Sequence, residues 1–192
     1  MPSREVLTLL DLVYYQYAKI VAQEELTRPG FEIARRTQYG MAKDIYHDLK
    51  AGRKLWGDVT RGNGAQGAEE VRCAFCGRRE NVEPRHLVPR SLHINERCGQ
   101  CERLLSQGNL VPTCADCAAR RGTMGLYAFY RDLFPEESKF YYRIPRSVEK
   151  KYLRIIYDCL RCADALGAKD VDGDGDVTVL DIDYAIARRG KL

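Results

Sequence analysis

No run in this 192-residue chain approaches the roughly 18 consecutive apolar side chains that a membrane-spanning helix requires, so a membrane role is not expected. No secretory pattern opens the sequence either. Residues 1–26 carry Asp11, Glu24 and Glu25 and read as a mature helix, which makes the cytoplasm the expected compartment. No cysteine stands alone: all eight fall in Cys-x-x-Cys pairs, at Cys73/Cys76, Cys98/Cys101, Cys114/Cys117 and Cys159/Cys162. No lysine occurs between Val71 and Gly125. The basic residues there are Arg72, Arg78, Arg79, Arg85, Arg90, Arg97, Arg103, Arg120 and Arg121, against Glu80, Glu83, Glu96, Glu102 and Asp116.

What is present then narrows the chemistry. A two-residue spacer lets a tight knuckle aim two thiolates at one ion, so eight paired thiols fit two four-cysteine zinc sites. Redox chemistry and disulfides are the alternatives. A thioredoxin-like motif is single and follows a strand in a βαβ unit, a pattern not seen here. A disulfide framework belongs to short secreted domains. The formal charge of +4 hides an asymmetry: Asp170, Asp172, Asp174, Asp176, Asp181 and Asp183 crowd the C-terminus, leaving 28 basic and 21 acidic residues upstream. Clustered arginine beside a metal knuckle makes a phosphate-binding surface. A solvated basic rim is the plainer alternative.

The apolar spacing predicts a helix over Glu5–Leu26, with Leu7, Leu10, Tyr14, Tyr17 and Val21 on one face, ended by Arg28-Pro29-Gly30. A second helix is expected from Phe31 to Leu49, with Tyr39, Ala42, Tyr46 and Leu49 on one side. Residues 61–68, RGNGAQGA, read as a flexible linker. A short helix is expected over Gly125–Phe134, and a longer one, capped by Ser147, over Val148–Leu166. Cys159 and Cys162 lie on that helix at a spacing that puts both sulfurs on one side. The expected organisation is an N-terminal helical region (1–60), a linker (61–70), a cysteine-rich module (71–125), C-terminal helices (126–169), and an acidic loop with a last helix (170–192). The fold class expected is α+β, mainly helical.

Within the middle region CAFC (73–76), RHLVPRS (85–91) and GNLVPTCADCAARRG (108–122) follow in order. This series resembles the HNH endonuclease family, over about 50 residues. The resemblance implies a small ββα-metal core that hydrolyses nucleic-acid phosphodiesters, DNA in particular, with His86 as general base and a divalent ion such as magnesium. It implies that Asn109 ties the loop between the strands. It also implies a structural zinc on Cys73, Cys76, Cys114 and Cys117, which leaves Cys98, Cys101, Cys159 and Cys162 for a second. Arg85, Arg90, Arg120 and Arg121 are the expected nucleic-acid contacts. Two positions depart from the family pattern: Ala118 and Arg85 stand where ligands of the catalytic ion are usual. Glu83, Asp116 and His93 are the nearby substitutes. A non-catalytic nucleic-acid-binding protein, or a scaffold braced by metals, therefore stands beside the nuclease.

Residues 170–181, DVDGDGDVTVLD, place acidic side chains at loop positions 1, 3, 5, 7 and 12, with Gly175 at position 6. That is the EF-hand arrangement for calcium, with Asp170, Asp172, Asp174, Asp176, Thr178 and Asp181 as the expected ligands. Closure by Asp resembles a dockerin repeat. Dockerins carry two such repeats and this chain has one, so protein partners remain unassigned. The helix after the loop is expected over Val179–Arg188.

Overall fold

Capping residues and buried tyrosines set the frame. The computed structural model describes residues 5–27, 37–57, 71–89 and 107–187. In chain order the elements are α1 (Leu9–Leu26), α2 (Gln38–Lys50), β1 (Val82–His86), β2 (Leu110–Cys114), α3 (Ala115–Arg121), α4 (Leu126–Leu133), α5 (Arg146–Cys162) and α6 (Val179–Ala187). Short 3-10 turns occupy Gln107–Asn109 and Phe140–Arg143. The class is α+β, mainly helical, with one two-stranded sheet among the described residues. The linker expected at 61–68 lies outside those residues. No described helix is long and apolar enough to cross a membrane.

Helix α1 begins at Leu9, later than the apolar spacing predicts, because Thr8 supplies the cap by accepting from the Asp11 amide at 3.2 Å. The amides of Leu9 and Leu10 donate to the carbonyls of Ala168 and Leu166, satisfying groups that a helix start leaves open. The buried set is also different. Leu9, Leu12, Val13, Tyr17 and Ala18 are fully enclosed, whereas Leu7 is 55% exposed. Helix α1 packs against α2, α5 and α6, so it has no single apolar stripe to read.

The α1–α2 contact has a polar lock. The buried Asp11 carboxylate accepts from the Tyr46 hydroxyl at 3.1 Å and meets the Lys50 ammonium at 2.9 Å. Burial pushes the Asp11 carboxyl up, but Lys50 and the Leu7 amide outweigh it and hold it below its ordinary value. Ala42, Ile45, Tyr46 and Leu49 form the buried face of α2, while Tyr39, expected on that side, is 58% exposed. Trp56 stacks on Tyr157 of α5 with ring centroids 4.7 Å apart, and Lys150 of α5 pairs with Glu24 of α1 at 2.7 Å.

Helix α5 starts at Arg146 with Pro145 as its N-cap, so Ser147 is not the cap that the sequence suggests. Helix α4 has Gly125 as its N-cap, which offers no side chain, and α6 fills the gap. The carboxylate of Asp183 accepts from the Ala128 amide at 2.8 Å and from the Tyr152 hydroxyl at 2.6 Å. Burial raises this carboxyl to about 6 despite those bonds. A methyl group at Gly125 would overlap the Asp183 carboxyl group. Because that carboxylate is enclosed and held by two donors, it has nowhere to retreat. Gly125→Ala should therefore cost about 1–3 kcal/mol of stability in urea unfolding, and an unchanged midpoint would refute the tight approach.

Candidate metal centre

Four cysteines converge at the end of the sheet. Cys73 and Cys76 sit on a tight turn in which the Cys73 amide donates to Arg78 and the Gly77 amide returns to Cys73, at 2.7 and 2.9 Å. Gly77 has a φ of +75°, a conformation that a side chain would oppose. The Ala74 amide donates to the Pro112 carbonyl at 2.8 Å and fastens the turn to β2. Cys114 ends β2 and caps α3, and Cys117 follows in the first turn of that helix. The four sulfurs lie within 4.8 Å of one another, with Cys76 and Cys114 at 3.7 Å. A tetrahedron of Zn–S bonds of about 2.3 Å sets sulfurs about 3.8 Å apart, so the quartet fits a zinc-sized ion.

The acid–base balance of the quartet points the same way. Burial raises the Cys73 thiol, but backbone amides at Cys114, Phe75 and Cys76 bring it down to about 7. Burial and the neighbouring sulfurs push Cys117 well above its ordinary value, and burial raises Cys76. Four sulfurs at this spacing cannot all carry charge in the absence of a cation. A divalent ion removes that conflict.

Strands β1 and β2 pair antiparallel, with Val82 opposite Cys114 and His86 opposite Leu110, and α3 follows directly. The stretch after His86 is pinned from two sides. Asn109 is fully buried: its side-chain oxygen accepts from the Val88 amide at 2.8 Å and its amide nitrogen donates to the Val88 carbonyl at 2.9 Å. Its carbonyl accepts from the Leu87 amide at 2.7 Å. From the helix side, the Arg121 guanidinium donates to the carbonyls of His86 and Leu87. Arg121 is only 4% exposed, which corrects the expectation that it contacts nucleic acid. The strand end claims its charge.

The other arginines are at the surface. Arg85 pairs with Glu83 at 2.7 Å, and Arg120 pairs with Asp132 at 3.0 Å. Asp116 pairs with Arg78. Two of the proposed substitute ligands, Glu83 and Asp116, are thus each engaged by an arginine. Arg90, His93, Cys98 and Cys101 lie outside the described residues. Cys159 is buried, whereas Cys162 is disulfide-bonded, which ties up a sulfur that the second four-cysteine site needs as a thiolate. Among the described residues only two groups of three or more Cys, His, Asp or Glu have metal-ligand spacing: the quartet, and Asp170, Asp172 and Asp174. Neither includes His86.

In the acidic loop, the Asp170 carboxylate accepts amides from Gly173, Asp174 and Gly175, which hold it below its ordinary value. Asp172 and Asp174 each accept one amide from the next turn of the loop. Thr178 and Asp181 depart from the ligand positions expected of them. The Thr178 hydroxyl accepts from the Leu180 amide at 3.3 Å, and Asp181 accepts from the Thr178 amide at 2.7 Å. That exchange is a capping box for α6, and the Thr-x-x-Asp spacing carries its signal. Asp181, fully buried, also takes the amides of Val171 and Asp172, so it closes the loop through the backbone. The inward roles of Arg121 and Asp183 have no such signal in the sequence.

No family model matches the chain, and neither a curated protein nor a solved structure matches it. The four-cysteine site is testable directly. Purified protein should contain zinc, and Cys114→Ser should remove about one zinc per chain and lower the thermal midpoint. Unchanged zinc content in that variant would refute the quartet as a metal centre.

Proposed function

We propose that this protein acts on nucleic-acid phosphodiesters through an HNH-type ββα module braced by zinc, with His86 as general base. The observation that carries the reading is the pinned strand end. His86 closes β1 opposite Leu110, while two buried side chains, Asn109 and Arg121, hold the backbone from His86 to Val88. Such fixing is what a proton-transferring histidine needs, since small misplacements are costly. In hydrolysis His86 takes a proton from the attacking water as the water oxygen bonds to phosphorus, the P–O bond to the leaving oxygen breaks, and that oxygen takes up a proton from solvent.

A divalent ion supplies charge stabilisation on the phosphate in chemistry of this kind. Among the described residues no group of three or more ligand side chains at metal spacing includes His86, so no step is routed through it. This observation favours a second reading, in which the module binds nucleic acid without cutting it. Ala118 carries no ligating atom, and Arg85 is a cation paired with Glu83. Exposed Arg85 and Arg120, with Arg90, are the basic contacts in either case. A cytoplasmic setting suits both, since thiols there stay reduced and available to metal. A second zinc on Cys98, Cys101, Cys159 and Cys162 belongs to the same reading and requires Cys162 in its reduced form.

Nicking of supercoiled plasmid with magnesium or manganese separates the two. The nuclease reading expects nicked circles from the unaltered protein and none from His86→Ala. Salt-sensitive DNA binding without nicking would replace it with the binding reading. A structural calcium ion on Asp170, Asp172 and Asp174 is the remaining part of the proposal. It is supported by the spacing of DVDGDGDVTVLD and by the proximity of those three carboxylates. Calcium should then raise the thermal midpoint, and Asp170→Ala should abolish the rise. A midpoint indifferent to calcium would discard that ion.

A further inference from the structure

We propose that Arg121 is the positioning residue of His86, acting through the backbone of the strand end and not on nucleic acid. The inference rests on the reading of His86 as the working histidine of the module. Arg121 is the last residue of α3, and one guanidinium spans two consecutive carbonyls, those of His86 and Leu87. The planar fork of arginine suits such a pair of acceptors, where the single ammonium of lysine does not.

The cost of this arrangement argues that it is there for position. The guanidinium is buried against the Phe75 ring, 5.4 Å from its centroid, and its Nε has no hydrogen-bond partner. Burial works against its charge and lowers its proton affinity, while Tyr152, Asp183 and Tyr130 oppose that effect. An apolar side chain of similar length would fill the same space with no orphan donor, but it would take this donor from the His86 and Leu87 carbonyls. What the buried guanidinium provides is therefore its hold on those two carbonyls. Asn109 anchors Leu87 and Val88 from the loop, and Arg121 anchors His86 and Leu87 from the helix, so the two ties overlap at Leu87. Without Arg121, the carbonyl of His86 would lose its tie to α3.

The test compares Arg121→Met and Arg121→Lys with the unaltered protein by the imidazole signals of His86 in carbon–proton spectra. Zinc content, thermal midpoint and plasmid nicking are followed beside them. In Arg121→Met the His86 signals should move while those of His47 on α2 and the zinc content stay, and nicking should fall about 100-fold. Arg121→Lys, which restores one donor, should recover part of both effects. His86 signals that stay in place in folded Arg121→Met would overturn the proposal. If that variant does not fold, Arg121→Lys decides: displaced His86 signals support the proposal and coincident ones overturn it. Absence of nicking by the unaltered protein would sink the hydrolytic reading alone, and the His86 signals would still judge the placement.

Discussion

Four sulfur atoms within 4.8 Å of one another are the constraint on which the ββα module depends. The sheet has two strands of five residues, too little to stand as a hairpin in water. Its strands are also joined through a long connection from Leu87 to Asn109, which carries a closure cost that pairing alone does not offset. The cysteines come from three places: the 73–77 turn, the end of β2 and the first turn of α3. A cation shared among them would hold turn, strand and helix at one point. With such an ion the dependence would run both ways, since its charge would also relieve the mutual repulsion of the sulfurs.

The two cysteine pairs were legible because a two-residue spacer constrains geometry locally, whereas their union in one site was only what the resemblance to the HNH family implied. Helix ends were legible only where a cap is written in the chain. Thr8 and Thr37 mark their helices, yet the apolar spacing alone put the first start too early. Leu7 and Tyr39 misled for a common reason. Periodicity finds one stripe, whereas α1 is covered from several sides and α2 turns its buried face toward Ala42, Ile45 and Tyr46. Arg121 was illegible for a different reason. An arginine in an arginine-rich segment reads as surface charge, and only the fold brings the His86 and Leu87 carbonyls to its fork. Asp183 was hidden likewise, because the helix it caps lies far away in the sequence.

The surface arginines temper the nucleic-acid reading without removing it. Arg85 and Arg120 are each committed to a carboxylate, but exposed pairs of this kind are weak and screened by salt. A phosphate can exchange for the carboxylate at small cost. Arg121 is not open to such exchange, because its carbonyl partners are backbone and enclosed. The same residue type thus serves two ends at adjacent positions, outward at Arg120 and inward at Arg121. Charge counting along the sequence cannot separate them, and burial does.

The acidic C-terminal segment is tied into the helices beside this module and is not an appended loop. The capping box of Thr178 and Asp181 starts α6, and α6 then delivers Asp183 to the amide start of α4 and to the Tyr152 hydroxyl of α5. The absent side chain at Gly125 is what lets that carboxylate come so close. Asp183 also opposes the loss of charge on Arg121, whose carbonyl partners flank the end of β1. The Asp183 carboxylate and the Arg121 guanidinium thus act on each other by charge, and Arg121 holds the His86 carbonyl. Disturbing α6 should be felt at the strand end through charge, because an enclosed guanidinium is sensitive to the carboxylates around it.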